Sequence, residues 1–376
     1  MSKIDDLIKE LCPEGVRFVC LDEVASLRRG SAITKKNIIP GDVPVIAGGQ
    51  KPAYFHGESN RSANIVVVAG SGAYAGFVSF WSVPVFVSDA FSIEPLDGEV
   101  ISKYIFYILK NRQTELHNLK RGSGVPHVYS RDVAKWKIPV PPLEVQKEIV
   151  RVLDSFTELE AELEAELEAR KKQYEYYRNT LLTFNERERE RVEYVQIGDI
   201  CNISRGRVMS KSYLIDNAGD YPVYSSQTAN NGVFGYINTY DYDKESITWT
   251  TDGANAGSVF YHNNEEFSIT NVCGLLMPKR EQVKVKYLYY ILQITLKKYV
   301  NSGMGNPKLM SNTMAKIKIP VPSLEKQKQI VSILDKFEKL TNDISVGLPA
   351  EIEARRKQYE YYRNKLLIFK ELEHSK

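Results

Sequence analysis

Gly70-Ser71-Gly72 follows the apolar run Ile65-Val66-Val67-Val68, the order in which a strand hands over to a glycine loop that wraps a phosphate or a methyl donor. Such a loop works by leading into a helix whose N-terminus faces the anion, and no helix of the right pattern follows. The corresponding loop later in the chain, Thr251-Asp252-Gly253, has lost a glycine, so a tight turn between strands is the better reading. Other catalytic constellations are missing. Five histidines (His56, His117, His127, His262, His374) are scattered, there is no HExxH or Walker loop, and the four cysteines (Cys12, Cys20, Cys201, Cys273) lack paired or metal-ligand spacing. No carboxylate pair stands out for general acid–base work. We therefore expect no metal, no cofactor and no catalytic residue: the chain reads as a recogniser. Unpaired thiols suggest a reducing, cytosolic setting.

The scaffold that must position any recognition chemistry is written twice. Lys137-Ile138-Pro139-Val140-Pro141-Pro142-Leu143-Glu144 returns as Lys318-Ile319-Pro320-Val321-Pro322-Ser323-Leu324-Glu325 ~180 residues later, a period that means a duplicated domain. Glu168-Ala169-Arg170 through Tyr177-Arg178-Asn179 returns as Glu353-Ala354-Arg355 through Tyr362-Arg363-Asn364. Fainter matches pair Arg29-Gly30 with Arg205-Gly206, Gly41-Asp42-Val43-Pro44 with Gly219-Asp220-Tyr221-Pro222, and Gly122-Ser123-Gly124 with Gly303-Met304-Gly305. Between these anchors the copies differ freely, so each half is one scaffold with its own variable surface.

Each half opens with short strands rich in Val, Ile, Tyr and Phe, punctuated by Gly, Pro, Asn and Ser. One helix is expected in each, from Lys103 to about Leu119 and from Lys286 to about Val300, which makes an α+β globule. The uncharged stretch from Ser62 to Ser88 is long enough to span a bilayer, but its glycines, Pro84 and β-rich pieces favour buried strands joined by turns, so no membrane partner is expected. Trp81, Trp249, Tyr54 and Tyr74 read as core aromatics.

Leu143 to Phe184 contains no Gly or Pro, and its apolar residues recur every three or four positions. As one helix it would reach ~63 Å, too long for the core of a small domain, so it must pack on a partner helix. Its own copy, Leu324 to Phe369, is that partner, and antiparallel pairing follows if the globules sit at opposite ends. The expected interface is Ile149, Leu153, Phe156, Leu159, Leu163, Leu167, Tyr177 and Phe184 against Ile330, Leu334, Phe337, Leu340, Ile344, Tyr362 and Phe369. The first arm carries Glu-Leu-Glu-Ala three times from Glu158; the second instead carries Gly347-Leu348-Pro349, which should break the helix and restart it with Pro349 in its first turn.

Two globules, each ending in an IPVPPLE-type segment with a nearby glutamine (Gln146, Gln327), then a long helix finishing in Tyr-Tyr-Arg-Asn, resemble the specificity subunit of type I restriction–modification systems. The resemblance covers essentially the whole chain. It implies an α+β molecule of two similar target-recognition domains separated by two long helices in an antiparallel coiled coil, with a pseudo-two-fold internal duplication. The divisions are 1–141 and 194–322 for the recognition domains, 142–184 and 323–376 for the spacer helices, and 185–193 for a charged connector. It further implies a non-catalytic, cytoplasmic reader of double-stranded DNA. Each domain would take one half of a split asymmetric site, two methyltransferase subunits would dock, and in the complete enzyme nuclease and translocase subunits would join. The alternative class is a coiled-coil assembly protein whose globules bind peptide or carbohydrate.

Formal charge is only +3, with mildly basic globules and an acidic first arm, which permits polyanion binding without demanding it. Candidate phosphate or base contacts are Arg29, Lys35, Lys36, Arg121 and His127 in the first globule and Arg205, Arg207, Lys211 and Lys308 in the second. An ordinary surface cation is the simpler reading of each alone. Arg29 and Arg205 recur with their glycines, as structural residues would, whereas base-reading residues should differ between the two copies.

Overall fold

The computed structural model describes residues 2–96, 98–122, 124–185, 192–279, 281–301, 305–343 and 345–372. It divides into two compact units: Met1–Glu164 with Glu351–Lys376, and Ala165–Ala350. Each unit holds one globule and a stretch of each arm, and the two are built on the same plan.

In the first unit, strands β1 (Arg17–Cys20), β2 (Ala25–Arg29), β3 (Val43–Ile46), β4 (Tyr54–His56), β5 (Ile65–Ala69), β6 (Val78–Trp81), β7 (Phe86–Val87), β8 (Ala90–Pro95) and β9 (Lys137–Val140) form three sheets. Their orders are β2-β8-β5-β6, β4-β3-β7 and β1-β9. In the second, β10 (Glu193–Gln196) through β18 (Lys318–Val321) repeat this. Strands β11 (Cys201–Arg205), β17 (Cys273–Pro278), β14 (Ser246–Thr250) and β15 (Val259–His262) make the larger sheet, and β13 (Val233–Ile237), β12 (Tyr221–Tyr224) and β16 (Ser268–Ile269) the smaller. The central strands β5 and β14 are buried along their whole length. That is why Ile65–Ala69 reads as an unbroken apolar run instead of an alternating one. The long uncharged stretch is thus strands and turns, and among the described residues no helix is long and apolar enough to cross a membrane.

The proline-rich repeats are strands. Lys137–Val140 pairs antiparallel with Arg17–Cys20, and Lys318–Val321 with Glu193–Gln196, so each globule's opening and closing segments are joined in a two-stranded ladder. Proline is tolerated because a ladder of two strands has only edges. The arm begins immediately after, and its first turn is locked by a buried glutamine. The Gln146 side-chain oxygen accepts the Ile101 N–H at 2.9 Å, and its amide donates to Glu99 O at 2.9 Å and Pro141 O at 2.8 Å. Gln327 does the same with the Lys284 N–H at 2.9 Å, Gln282 O at 2.8 Å and Pro322 O at 2.8 Å. Tyr104 and Tyr287 add hydroxyl bonds to Pro139 O and Pro320 O.

The expected globule helices are present but interrupted. The first is Ser102–Asn111, then Gln113–Asn118 after a break at Arg112; the second is Val285–Thr295, ending in a 3-10 turn over Leu296–Tyr299. Helix Ser2–Leu11 was not anticipated; it buries Ile4 in the first core, and Lys3 reaches Glu148 on the arm.

The first arm is a single helix, Leu143–Leu182, and the second is Leu324–Asn342 followed by Leu348–Leu366, with Pro349 in the first turn of the restart. The Asp343 carboxylate takes the Ser345 N–H at 2.8 Å, and Gly347 is compelled because a Cβ there would stand 2.6 Å from Lys339 O. In the first unit Ile149 and Leu153 are fully buried. Phe156 packs against Tyr359 and Tyr362 at ring distances of 6.5 and 5.4 Å, while Arg356 reaches Glu160 and Glu164. The partner number falls as the first arm's rises, so this pair of segments is antiparallel. Leu159 and Leu163 are half-buried, and Phe369 packs on the same core.

In the second unit Ile330 and Leu334 are fully buried, Leu182 and Phe184 join their cluster, and Tyr177 stacks on Phe337 at 5.4 Å. Leu167 is half-buried. Leu340 departs from expectation: it is exposed and Thr341 holds the buried position, because the helix ends at Asn342. Ile344 lies outside the described residues.

Replacing Gln146 by Leu strands one N–H and two carbonyls, so we expect a loss of about 2–4 kcal/mol in denaturant unfolding; an unchanged midpoint would mean the clamp is dispensable. The Glu148 carboxyl is held down at about 2, first by the Arg151 hydrogen bond and then by Lys3. A depressed carboxyl stabilises above its ordinary range and loses that contribution as pH falls. The melting-temperature gap between wild type and Glu148→Gln should therefore be full at neutral pH and close between about pH 4.5 and 2; a gap independent of pH would contradict this.

Candidate nucleic-acid interface

In each unit the chain brings three short extended segments abreast at the end of the larger sheet's central strand. In the first, His127 forms bridges with both Ser71 and Arg121. The Arg121 N–H donates to His127 O at 2.9 Å and the His127 N–H returns to Arg121 O at 2.8 Å. On the other side the Gly72 N–H donates to Pro126 O at 2.9 Å and the Val128 N–H to Gly70 O at 3.0 Å. Gly122 makes the connecting turn at φ +115°, with Val125 O only 3.0 Å from where a Cβ would sit. The second unit repeats this with Lys308 between Asp252 and Asn301, at 2.9 and 3.0 Å to Asn301 and with the Gly253 N–H on Pro307 O at 3.0 Å. Gly70-Ser71-Gly72 is therefore neither a nucleotide loop nor only a turn: it is one rail of a ladder.

Around the first ladder lies a small cavity of about 70 Å³ lined by Arg29, Gly70, Asp89, His127 and Tyr129 among others. Ser71 donates its hydroxyl to the Asp89 carboxylate. The Tyr129 ring, 42% exposed, stacks on His127 at 6.0 Å with the Arg131 guanidinium 5.1 Å away on the same ring system. Arg121 is mostly exposed, with Asp132 at 3.6 Å. Behind Arg29 the buried Arg61 donates to Arg29 O at 2.9 Å and to Ser92 Oγ at 2.6 Å, and burial lowers its pKa from the ordinary value.

In the second unit Arg205 donates to Thr251 Oγ1 at 3.2 Å, and Asp252 accepts from Ser226 Oγ at 2.9 Å. Arg207 stands on the crossing to the smaller sheet, donating to Tyr213 at 2.7 Å and paired with Asp241 at 3.1 Å; these bonds, Tyr213 first, raise its pKa. Lys211 is exposed at the start of helix Lys211–Asp216, and Lys36 is exposed in the 3-10 turn Lys35–Asn37; the side chain of Lys35 lies outside the described residues.

The structure thus gathers Arg29, Arg121 and His127 in one unit and Arg205 and Lys308 at the matching place in the other. Sequence reasoning passed over Ser71, Asp89, Asp252, Asn301 and Tyr129. The alignment of Gly70-Ser71-Gly72 with Thr251-Asp252-Gly253 was the available signal, since it already put Ser71 and Asp252 at one position. Tyr74 is 47% exposed and so is not a core residue, whereas Trp249 is fully buried with its indole N–H on Leu309 O. On the turn between Gly72 and Gly76 it is Ala75 that enters the core, while Tyr74 points to solvent.

Among the described residues one hydrogen-bonded line has the form of a relay. The His262 ring spans Thr248 Oγ1 at 2.8 Å and Glu265 at 3.0 Å, with Tyr224 also on Glu265, and the His262 bond lowers the Glu265 pKa. Thr248 is 0% exposed and His262 2%, so no substrate reaches the hydroxyl and the line is a satisfied core network. Among the described residues, no group of His, Cys, Asp or Glu has a geometry that could hold a metal ion.

Comparison with known proteins gives one family. A family model described as the type I restriction modification DNA specificity domain matches residues 13–169 and again 189–354. A putative type I specificity subunit of Mycoplasma pneumoniae is 43% identical over 239 residues, covering 62% of this chain and 95% of that protein. A putative type I restriction enzyme specificity subunit of Haemophilus influenzae is 29% identical over 94% of this chain and 96% of its own. The crystal structure of the type I restriction–modification S subunit from M. genitalium superposes with a TM-score of 0.68 at 20% identity, covering 94% of this chain and 96% of the other, which shows a shared fold.

The repeated Arg-Gly pair has a packing cause. A Cβ on Gly30 would lie 2.1 Å from Ser88 O, and one on Gly206 1.8 Å from Ile269 O. Gly206→Ala should cost about 1–3 kcal/mol by overpacking, while Arg205→Ala should stay within about 0.5 kcal/mol, both read in denaturant unfolding. Equal effects would remove this explanation.

Proposed function

The chain belongs to the type I restriction modification DNA specificity family, and on that premise we propose that each globule reads one half of a split asymmetric site on double-stranded DNA. The recognition domains span 1–141 and 194–322, the paired arms 142–184 and 323–376 serve as spacer and docking surface, and 185–193 connects them. Methyl transfer and cleavage reside in partners: two methyltransferase subunits and, in the complete enzyme, nuclease and translocase subunits. The complex works in the cytoplasm.

The observation that carries this reading is one head built twice on an invariant frame, with exposed cations at the same ladder and unlike neighbours around them. A frame that repeats while its ladder residues change suits a reader of two different sequences. Phosphate contacts from Lys36, Lys211 and the ladder cations would fix register, and base edges would supply sequence. A stiff arm suits a fixed gap between half-sites, since a flexible tether would let the gap vary; half-sites about one DNA turn apart, ~34 Å, fall within reach of such an arm.

The test selects full-length protein with its methyltransferase subunits against random duplex DNA, for wild type and for a deletion of Glu162-Leu163-Glu164-Ala165. We expect one two-part motif from wild type and, from the deletion, the same two half-sites with a shorter unread gap. No two-part motif from wild type would overturn the proposal; altered half-sites in the deletion would overturn the division between heads and spacer.

A further inference from the structure

The two ladders place three side chains abreast. Residues directly opposite one another in a ladder point to the same face, with Cβ atoms ~4.5–5.5 Å apart. Ser71, His127 and Arg121 therefore form one row and Asp252, Lys308 and Asn301 its counterpart, at one address on a duplicated frame. All three positions differ between copies, whereas Arg29-Gly30 and Arg205-Gly206 beside them do not. Resting on the reading that each head binds DNA, we infer that these two rows are the elements that make the two half-sites different.

Their chemistries differ. The first row is rich in donors: Arg121 keeps most of its guanidinium in solvent with a single ion pair at 3.6 Å, and the Ser71 hydroxyl is already given to Asp89. A guanidinium fork complements the O6 and N7 acceptors of guanine. The second row mixes acceptor and donor. The Asp252 carboxylate accepts from Ser226 at 2.9 Å and from Thr251 at 3.5 Å, both on Oδ1, and retains further lone pairs for the amino group of cytosine. Asn301, opposite Lys308, is of the type that pairs with adenine at N6 and N7. Flanking the rows, Tyr129 in one head is answered by Met310 in the other, both exposed, so the stacking face is also present on one side only. The first half-site accordingly contains a guanine under Arg121, and the second an adenine or cytosine at the equivalent place.

The test exchanges the rows without touching the buried Ser71. Full-length Arg121→Asn/His127→Lys and the reciprocal Asn301→Arg/Lys308→His are each assembled with methyltransferase subunits and selected on random duplex DNA. Each exchange should alter one or two adjacent base pairs of its own half-site, leave the other half-site intact, and weaken binding to the original sequence about tenfold to a hundredfold. A third variant, Arg121→Lys, keeps the charge and loses the fork; it should relax a single base pair while non-specific binding stays within about twofold. A two-part motif that survives the exchanges and the lysine variant unchanged overturns this inference alone. A wild type with no two-part motif overturns the proposed function beneath it.

Discussion

A buried amide that cannot be left unpaired holds each half of this molecule together. Gln146 and Gln327 are fully buried, and each satisfies one N–H and two carbonyls at the mouth of its globule. A buried polar group without partners costs about 1–3 kcal/mol each, so the loop before the globule helix, the end of the proline strand and the first turn of the arm adopt one mutual geometry or none. The strand they follow is itself paired to the globule's opening segment. Lys103 and Tyr107 on Asp154, and Lys286 and Tyr290 on Asp335, continue the same grip about two turns further along the arm. Head and arm leave the junction as one body in each unit, which is what a reader at the end of a spacer requires.

That constraint explains which parts were legible in the sequence. The clamp glutamine, the proline strand and the Tyr-Tyr-Arg-Asn segment match almost letter for letter; at the clamp only the glutamine is fixed, because it alone supplies the buried amide while its partners are backbone groups on residues that differ between the copies. The long helix declared itself by period and by lack of Gly and Pro, and its interrupted partner by Gly347-Leu348-Pro349. The ladder was illegible. His127 meets Ser71 and Arg121 through backbone bonds that any residue can make, so no periodicity marks it. Helix Ser2–Leu11 lacks a repeat copy and so had nothing to be aligned with, and the break at Arg112 lies in a segment whose apolar spacing continues across it.

The arm combines two kinds of residue for two tasks. A run of Glu-Leu-Glu-Ala units is degenerate under a four-residue slip: Leu replaces Leu and Glu replaces Glu, with a rotation of only ~40°. Arg356 illustrates this, because its pairing with both Glu160 and Glu164 could be remade one unit along. Exposed pairs of this kind contribute about 0–1 kcal/mol, too little and too ambiguous to set register. Phe156 against Tyr359 and Tyr362 in the first unit, and Tyr174 and Tyr177 against Phe337 in the second, have no equivalent four residues away. Aromatic pairs add about 0.5–1.5 kcal/mol each beyond their burial, and their shapes fit one alignment.

Register is thus assigned to non-repeating aromatics and length to repeating units, and neither task is given to the globules. Changing the number of units alters a stretch whose burial is partial and whose ion pairs re-form, while the anchors and glutamine clamps keep their partners. Changing a ladder residue alters a surface whose backbone bonds are indifferent to side-chain identity. On the proposed reading, spacing and sequence preference can then vary independently, because the glutamine clamps that hold each head to its arm belong to neither the repeating units nor the ladder rows.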